Sequence, residues 1–362
     1  MKKVVSVVLA LIMVLALGTV AFAENADCTF NIPVYYVAEN EGSVKPAIGV
    51  KLVVADCETK GAPSLKASEV TLNFAQSTEM EDVQFAEFTV DASTLTKPGK
   101  FVYTISQETI GDEDYAGLEF DENEATLTVY VKQGATAEDF TVSVDIKYDN
   151  AKINGGKFDG EKYVKVTEGT NKTTEAGSVF TNTYSAASKN NDSDGFAVSK
   201  IVTGDFGDKT MDFAVTVTFT SEKKVALPIT YTVGGEDKSV TLEKNKDDKY
   251  EGTAVITIKH GDTISFSNVP YGVAYSVVEN SYEDYQTSYK SIDKTGEKDT
   301  VLSKTGAGTV EIANLAVEIT NDNQSSVDTG VIFDYLPYVL ILAFVAAACV
   351  LLVVKKRKIE EY

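Results

Sequence analysis

The chain has 362 residues, with 54 acidic against 33 basic side chains, one histidine, three cysteines and no tryptophan. A net charge of −21 argues against a nucleic-acid binder, because phosphate contacts need clustered cations, and the lone arginine, Arg357, stands five residues from the C-terminus. A single histidine excludes multi-histidine metal centres, and a chain of this length with 43% hydrophobic residues is expected to form two folded domains rather than a disordered tail.

The chain opens on Met1-Lys2-Lys3, an apolar run from Val4 to Val20, and Ala21-Phe22-Ala23. A charged start, an apolar middle and small residues two apart predict a secretory signal peptide over 1–23, cut after Ala23, the other reading being an N-terminal membrane anchor. From 25 to 184 the pattern is strand after strand. Leu127, Val129 and Val131 alternate with polar neighbours, as do Phe140, Val142, Val144, Ile146 and Tyr148. Cys28 shares the parity of Phe30, Ile32 and Val34, and Cys57 that of Val53 and Ala55. Both thiols are therefore expected to point inward, either as a disulfide, since the protein is exported, or as two buried free thiols. Asn150–Gly155 with Glu161 has a faint likeness to a calcium loop, but Lys152 takes a ligand position, so a hairpin turn is expected. The polar stretch 185–194 reads as a linker, and a second run of strands follows over 195–324, for example Phe213, Val215, Val217 and Phe219. His260, in Lys259-His260-Gly261-Asp262, reads as part of a strand-end turn. The expected fold class is all-β: two tandem immunoglobulin-like antiparallel β-sandwiches, flanked by the signal peptide and a C-terminal transmembrane helix.

Three polar residues of the second module occupy apolar positions. Lys200 falls on the face of Phe196, Val198 and Val202; Glu279 on that of Tyr275 and Val277; Asn321 on that of Leu315, Val317 and Ile319. Strand side chains alternate between faces, so all three should point into the core. Burial lowers a lysine pKa and raises that of a glutamic acid. One apolar compartment would then hold a neutral amine, a protonated acid and a carboxamide. Those are the ingredients of amide exchange: the amine attacks the Asn321 carbonyl, Glu279 shuttles protons, and ammonia leaves. The competing reading is three strand-end residues whose tips reach water.

At the C-terminal end, Ser326-Val327-Asp328-Thr329-Gly330 precedes a membrane span expected over 331–354, apolar from Tyr335 to Val354, and a basic tail over 355–362. This layout resembles the cell-wall sorting signal of Gram-positive bacteria, in which a sortase cleaves between Thr and Gly. Ser326 and Val327 stand where that pattern has Leu and Pro, and the alternative is a plain tail anchor. With the cationic ends set aside, 24–330 holds 27 basic and 51 acidic residues, a charge of −24.

The module interiors carry a further resemblance. Phe196-Ala-Val-Ser-Lys200-Ile-Val-Thr-Gly204, Asn268-Val-Pro-Tyr-Gly272, Tyr275-Ser-Val-Val-Glu279 and Ile319-Thr-Asn321 resemble the collagen-adhesin B-type module of Gram-positive pilins. That resemblance implies Lys200 and Asn321 as isopeptide partners and Glu279 as the catalytic acid. Gly99–Gln107 and Phe180-Thr-Asn182-Thr-Tyr184 resemble the pilin isopeptide-linkage domain of streptococcal-type major pilins. There Gln107 replaces the expected Glu and Val34 stands near the expected Lys, so no isopeptide is expected in this module unless Lys45 or Lys51 substitutes. By the same resemblance a lysine late in the first domain, Lys165 or Lys172, is a candidate acceptor for the Thr329 of the next subunit. The implied protein is a structural pilin-like subunit on the cell surface or wall. Its only chemistry is autocatalytic cross-linking, it needs no cofactor or metal, and its partners are sortase, peptidoglycan and other pilin copies. The alternative is a monomeric anchored adhesin for a host or glycan ligand.

Overall fold

The computed structural model describes residues 25–111, 114–148, 162–167, 180–296 and 298–324. The expected signal peptide, sorting motif with Thr329 and Gly330, membrane span, basic tail, Lys172 and the Asn150–Gly155 turn lie outside these residues. Among the described residues no helix is long and apolar enough to cross a membrane.

The described chain is all-β and builds two cores. In the first module a four-stranded sheet is ordered Glu81–Val90, Cys28–Ala38, Phe180–Tyr184, Leu118–Glu119. It faces a six-stranded sheet ordered Glu69–Phe74, Ile48–Val54, Gly99–Thr109, Ala125–Gln133, Phe140–Tyr148, Lys162–Thr167. In the second module a seven-stranded sheet carries Phe196–Thr203 beside Leu315–Asp322, and a five-stranded sheet carries Phe213–Ser221 between Tyr250–Ile258 and Ala274–Glu279. The alternation that predicted the strands is the alternation that is buried: Phe213, Val215, Val217 and Phe219 are fully enclosed and the threonines between them are not. Period-2 sequence delivers one apolar face per strand, and two such faces close each sandwich.

In both modules the first and last strands run parallel and side by side. Cys28–Ala38 pairs with Phe180–Tyr184, setting Tyr36 opposite Asn182. Phe196–Thr203 pairs with Leu315–Asp322, setting Val202 opposite Asn321. The chain therefore begins and ends each module on neighbouring strands of one sheet.

Residues 185–194 connect the modules but do not form a free linker. Ala186 and Ala187 pair with Pro270 and Val269 of the second module, and Ala186, Ala187 and Ser188 are buried. Small side chains let the backbone pass into a tight junction, so low hydrophobicity here marks close approach. Gly117 shows the constraint: it has a φ of +74°, and a Cβ there would stand 2.3 Å from the Ser185 carbonyl oxygen. Asn268, at a φ of 62°, organises the far side. Its Oδ1 accepts from Val44 N–H (3.0 Å) and its N–H donates to Ser188 Oγ (2.9 Å). Asn40 Nδ2 donates to Tyr271 Oη (2.8 Å) and to the Ala186 carbonyl (3.1 Å). Buried polar groups that lose a partner are destabilised by about 1–3 kcal/mol. Asn268→Ala is therefore expected to speed amide hydrogen exchange at Val44 and Ala187, read by mass spectrometry of peptic fragments. Exchange in the Phe196–Thr203 strand should stay at its wild-type rate, and an unchanged junction would show that Asn268 does not hold the modules together.

Candidate functional site

The second module brings Lys200, Glu279 and Asn321 together in its interior. Lys200 comes from the first strand of the seven-stranded sheet and Asn321 from the adjoining last strand. Glu279 reaches across from the facing sheet, where it pairs opposite Val215. Parity placed all three inward, and all three are buried, the Lys200 and Glu279 side chains with no exposed surface.

Glu279 bridges the other two. Lys200 Nζ donates to its Oε2 at 2.5 Å, and Asn321 Nδ2 donates to its Oε1 at 2.6 Å. Each carboxylate oxygen thus faces one nitrogen. Asn321 Oδ1 is buried with no hydrogen-bond donor. The strand end is held by Glu279 N–H donating to Tyr289 Oη at 2.9 Å. Beneath the amine lies the Phe213 ring, 4.2 Å from Nζ to centroid, with Tyr282 and Tyr285 packed edge-on against it. Burial pushes the Lys200 pKa below the ordinary lysine value, partly opposed by the hydrogen bond and charge of Glu279. The site holds an amine inclined towards its neutral form, a carboxyl group touching both nitrogens, and a carboxamide carbonyl without a partner.

The first module has the same scaffold with different residues at two of the three positions. Two residues before the strand partner of Asn321 stands Lys200; two residues before the strand partner of Asn182 stands Val34, fully buried. Gln107 faces Asn182 as Glu279 faces Asn321. Gln107 Nε2 donates to Asn182 Oδ1 (2.7 Å) and Asn182 Nδ2 donates back to Gln107 Oε1 (3.1 Å). Asp121 N–H also donates to Asn182 Oδ1 (3.1 Å), so this amide is satisfied where that of Asn321 is not. Gln107 is one of the residues lining an open cleft of about 1180 Å³, with Thr181, Lys223 and the carboxylates Glu108, Asp114, Glu119, Asp121 and Glu122.

Neither substitute lysine is seen to bond Asn182. Lys45 is fully buried, but its Nζ donates to the Tyr36 carbonyl (2.7 Å) and pairs with Asp82 (2.7 Å). Lys51 is partly exposed and pairs with Glu69 (3.2 Å) and Glu108 (2.9 Å). Sequence reasoning placed Lys45 only as an alternative nucleophile; its partnership with Asp82, on the strand paired with Cys28–Ala38, leaves no periodic trace.

Of the two arrangements open to the cysteines, the structure has the one without a disulfide. Cys28 is buried and Cys57 half-buried, and no disulfide joins them. The strand Ile48–Val54 buries Val50, Leu52 and Val54, so the parity of Val53, Ala55 and Cys57 belongs to its outer face. The strand also ends before Cys57, where alternation no longer predicts direction. Lys165 pairs opposite Asp145 in the Lys162–Thr167 strand at the edge of the six-stranded sheet.

Residues 195–322 match a family described as a domain of unknown function, DUF7601, which is the second module. A protein named "Pilin" from Streptococcus pyogenes serotype M1 is 27% identical over 281 residues, 75% of this chain and 72% of that protein. The "Pilus tip adhesin Cpa" of Streptococcus pyogenes is 27% identical over 117 residues, 32% of this chain and 16% of that protein. Among solved structures, the major pilin from Streptococcus pyogenes matches with a TM-score of 0.48 and 18% identity, covering 82% of this chain and 99% of that one. Over three quarters of its length, then, this chain is similar to a streptococcal pilin.

Proposed function

We propose that this chain is a structural, pilin-like subunit of a Gram-positive cell surface. Its second module closes on itself through an amide between Lys200 and Asn321, and sortase joins it to the wall or to neighbouring copies at Thr329. The observation that carries this reading is the bridging position of Glu279, with one oxygen on the Lys200 amine and the other on the Asn321 amide nitrogen.

That arrangement suits exchange of one amide for another. The neutral Lys200 amine attacks Asn321 Cγ, and Glu279 takes the amine proton through Oε2. Delivery of a proton through Oε1 to Nδ2 lets the C–N bond break, releasing ammonia and leaving a Lys200 Nζ–Asn321 Cγ amide. A half-turn of the amide about Cβ–Cγ would bring Oδ1, the acceptor without a donor, against Oε1. A protonated Glu279 would then polarise the carbonyl before attack. Burial supports each step, since it favours the neutral amine, strengthens the hydrogen bonds and holds the reactants in one geometry.

The place of the bond in the fold suits a shaft. It joins the first and last strands of a module, so tension entering at one end and leaving at the other passes through a covalent bond instead of the sandwich. Similarity to a streptococcal pilin over most of the chain favours polymerisation. Similarity over 117 residues to a pilus tip adhesin supports the second reading, a monomeric anchored adhesin built on the same modules. Boiling wall extracts in detergent separates them. A polymerised pilin gives a ladder of covalent multimers recognised by antibody to this chain, whereas a single monomer band leaves the adhesin.

A further inference from the structure

The strand-end turn Lys259–Asp262 grips the backbone of Lys200. The strand Phe196–Thr203 pairs with Thr263–Ser267 only as far as Ser199. Beyond that point its edge is covered by the turn Lys259–Asp262. Lys200 N–H donates to the Asp262 carbonyl (3.1 Å), and the Lys200 carbonyl accepts from Gly261 N–H (2.8 Å). Two residues further on, Val202 N–H donates to Nδ1 of His260, the chain's only histidine, at 2.9 Å. The turn is itself tied, because Lys259 N–H donates to the Asp262 carboxylate (3.0 Å) and Asp262 N–H to the Lys259 carbonyl (3.1 Å).

The other side of this strand is the parallel pairing that sets Val202 opposite Asn321. The Asn321 strand has neighbours along both edges, Phe196–Thr203 and Gln286–Asp293. The reactive half of the lysine strand has a strand on one edge and this turn on the other. His260 therefore holds the residue that sits opposite the acceptor and two places from the nucleophile. Only an imidazole carrying its proton on Nε2 can accept at Nδ1.

We propose that His260 is a positioning residue for the cross-link. By accepting from Val202 N–H it fixes the strand that carries Lys200 against the strand that carries Asn321. The inference rests on the cross-linking reading above and adds to it an element that touches neither reacting group. Attack on an unactivated amide depends on sub-ångström placement, and a shift of about 1 Å can slow such a step by about 100-fold. Loss of one of the turn's three contacts with the strand is expected to slow it by about tenfold.

The test uses the full-length chain made by cell-free synthesis in detergent, captured in denaturant before it folds, then diluted into folding buffer and followed by mass spectrometry. Wild type loses one ammonia. His260→Ala should lose it about tenfold more slowly. His260→Asn places an oxygen near the position of Nδ1 and should return the rate to within about twofold of wild type. Equal rates for wild type and His260→Ala, or an Asn variant as slow as the Ala variant, overturn the proposal. A wild type that never loses ammonia overturns the cross-linking reading itself, and this inference with it. Should His260→Ala fail to fold, the wild-type imidazole nitrogen shifts decide: unprotonated Nδ1 with the proton on Nε2 supports the proposal, and the Nδ1–H tautomer sinks it.

Discussion

Glu279→Gln is expected to keep the ammonia that wild type loses and to be far less stable. Glutamine keeps the shape of the bridge and can still hydrogen-bond both neighbours, but it can neither take the Lys200 proton nor pass one to Asn321. The cross-link closes a loop running from the first strand of the module to the last. By analogy with disulfide loops of similar length, its absence is worth about 5 kcal/mol. For a module of this size that corresponds to a fall of roughly 15–25 °C in Tm. The same substitution leaves Lys200 buried beside a neutral amide, which adds to the loss. Calorimetry measures the sum. Lys200→Met separates its parts, since it removes both the cross-link and the buried amine and should recover some of the stability that Glu279→Gln loses. A Glu279→Gln chain that still loses one ammonia from its own sequence mass would show that the carboxyl group is not the proton shuttle.

The second large effect is a gain. Val34→Lys together with Gln107→Glu should install a cross-link to Asn182 in the first module. The parallel register there matches that of the second module residue for residue: Val34 opposite Phe180 and Tyr36 opposite Asn182, as Lys200 is opposite Ile319 and Val202 opposite Asn321. Gln107 already touches the Asn182 amide through both of its polar atoms. The expected readout is loss of a second ammonia and a further gain of about 5 kcal/mol in the first module. Formation should be slower than in the second module, because position 107 borders an open acidic cleft instead of a sealed core. Val34→Lys alone should instead destabilise the module by about 3–5 kcal/mol, leaving an amine buried without a partner. If the double variant also keeps its full mass, shared register is not enough, and the Phe213, Tyr282 and Tyr285 enclosure around Lys200 becomes the missing requirement.

Much of this site was legible in sequence because strands expose a period of two. Phe196, Val198 and Val202 fix the direction of Lys200 whether or not the fold is known, and the same holds for Glu279 and Asn321. The substitutions in the first module were legible for the same reason, since Val34 and Gln107 lie within well-patterned strands. Legibility failed where alternation stops or misleads. Val53 lies on the outer face of its strand, yet Cys57, beyond the end of that strand, packs against the first core, so its half-burial does not follow from their shared parity. Ala186, Ala187 and Ser188 look like linker because their side chains are small, and small side chains are what a close junction requires. Asn40, Asn268 and Tyr271 meet across two modules, and no periodicity within either module records that. His260 contributes through a bond to a backbone N–H, which leaves no mark on the sequence of its partner.

Burial holds the Lys200 pKa below the ordinary lysine value, and this bears on how the site reacts. Desolvation favours the neutral nucleophile while the Glu279 hydrogen bond opposes it, so reactivity depends on the core closing over the site. On the proposed reading folding and cross-linking are one event, and the finished bond would remove the buried amine that made it possible.

The most direct measurement is the mass of the peptides that hold Lys200 and Asn321, after protease digestion of the protein isolated from its own cells. The cross-linked fold predicts a single branched species that contains both segments and weighs one ammonia less than their sum. Two separate peptides, each at its unmodified mass, would contradict it.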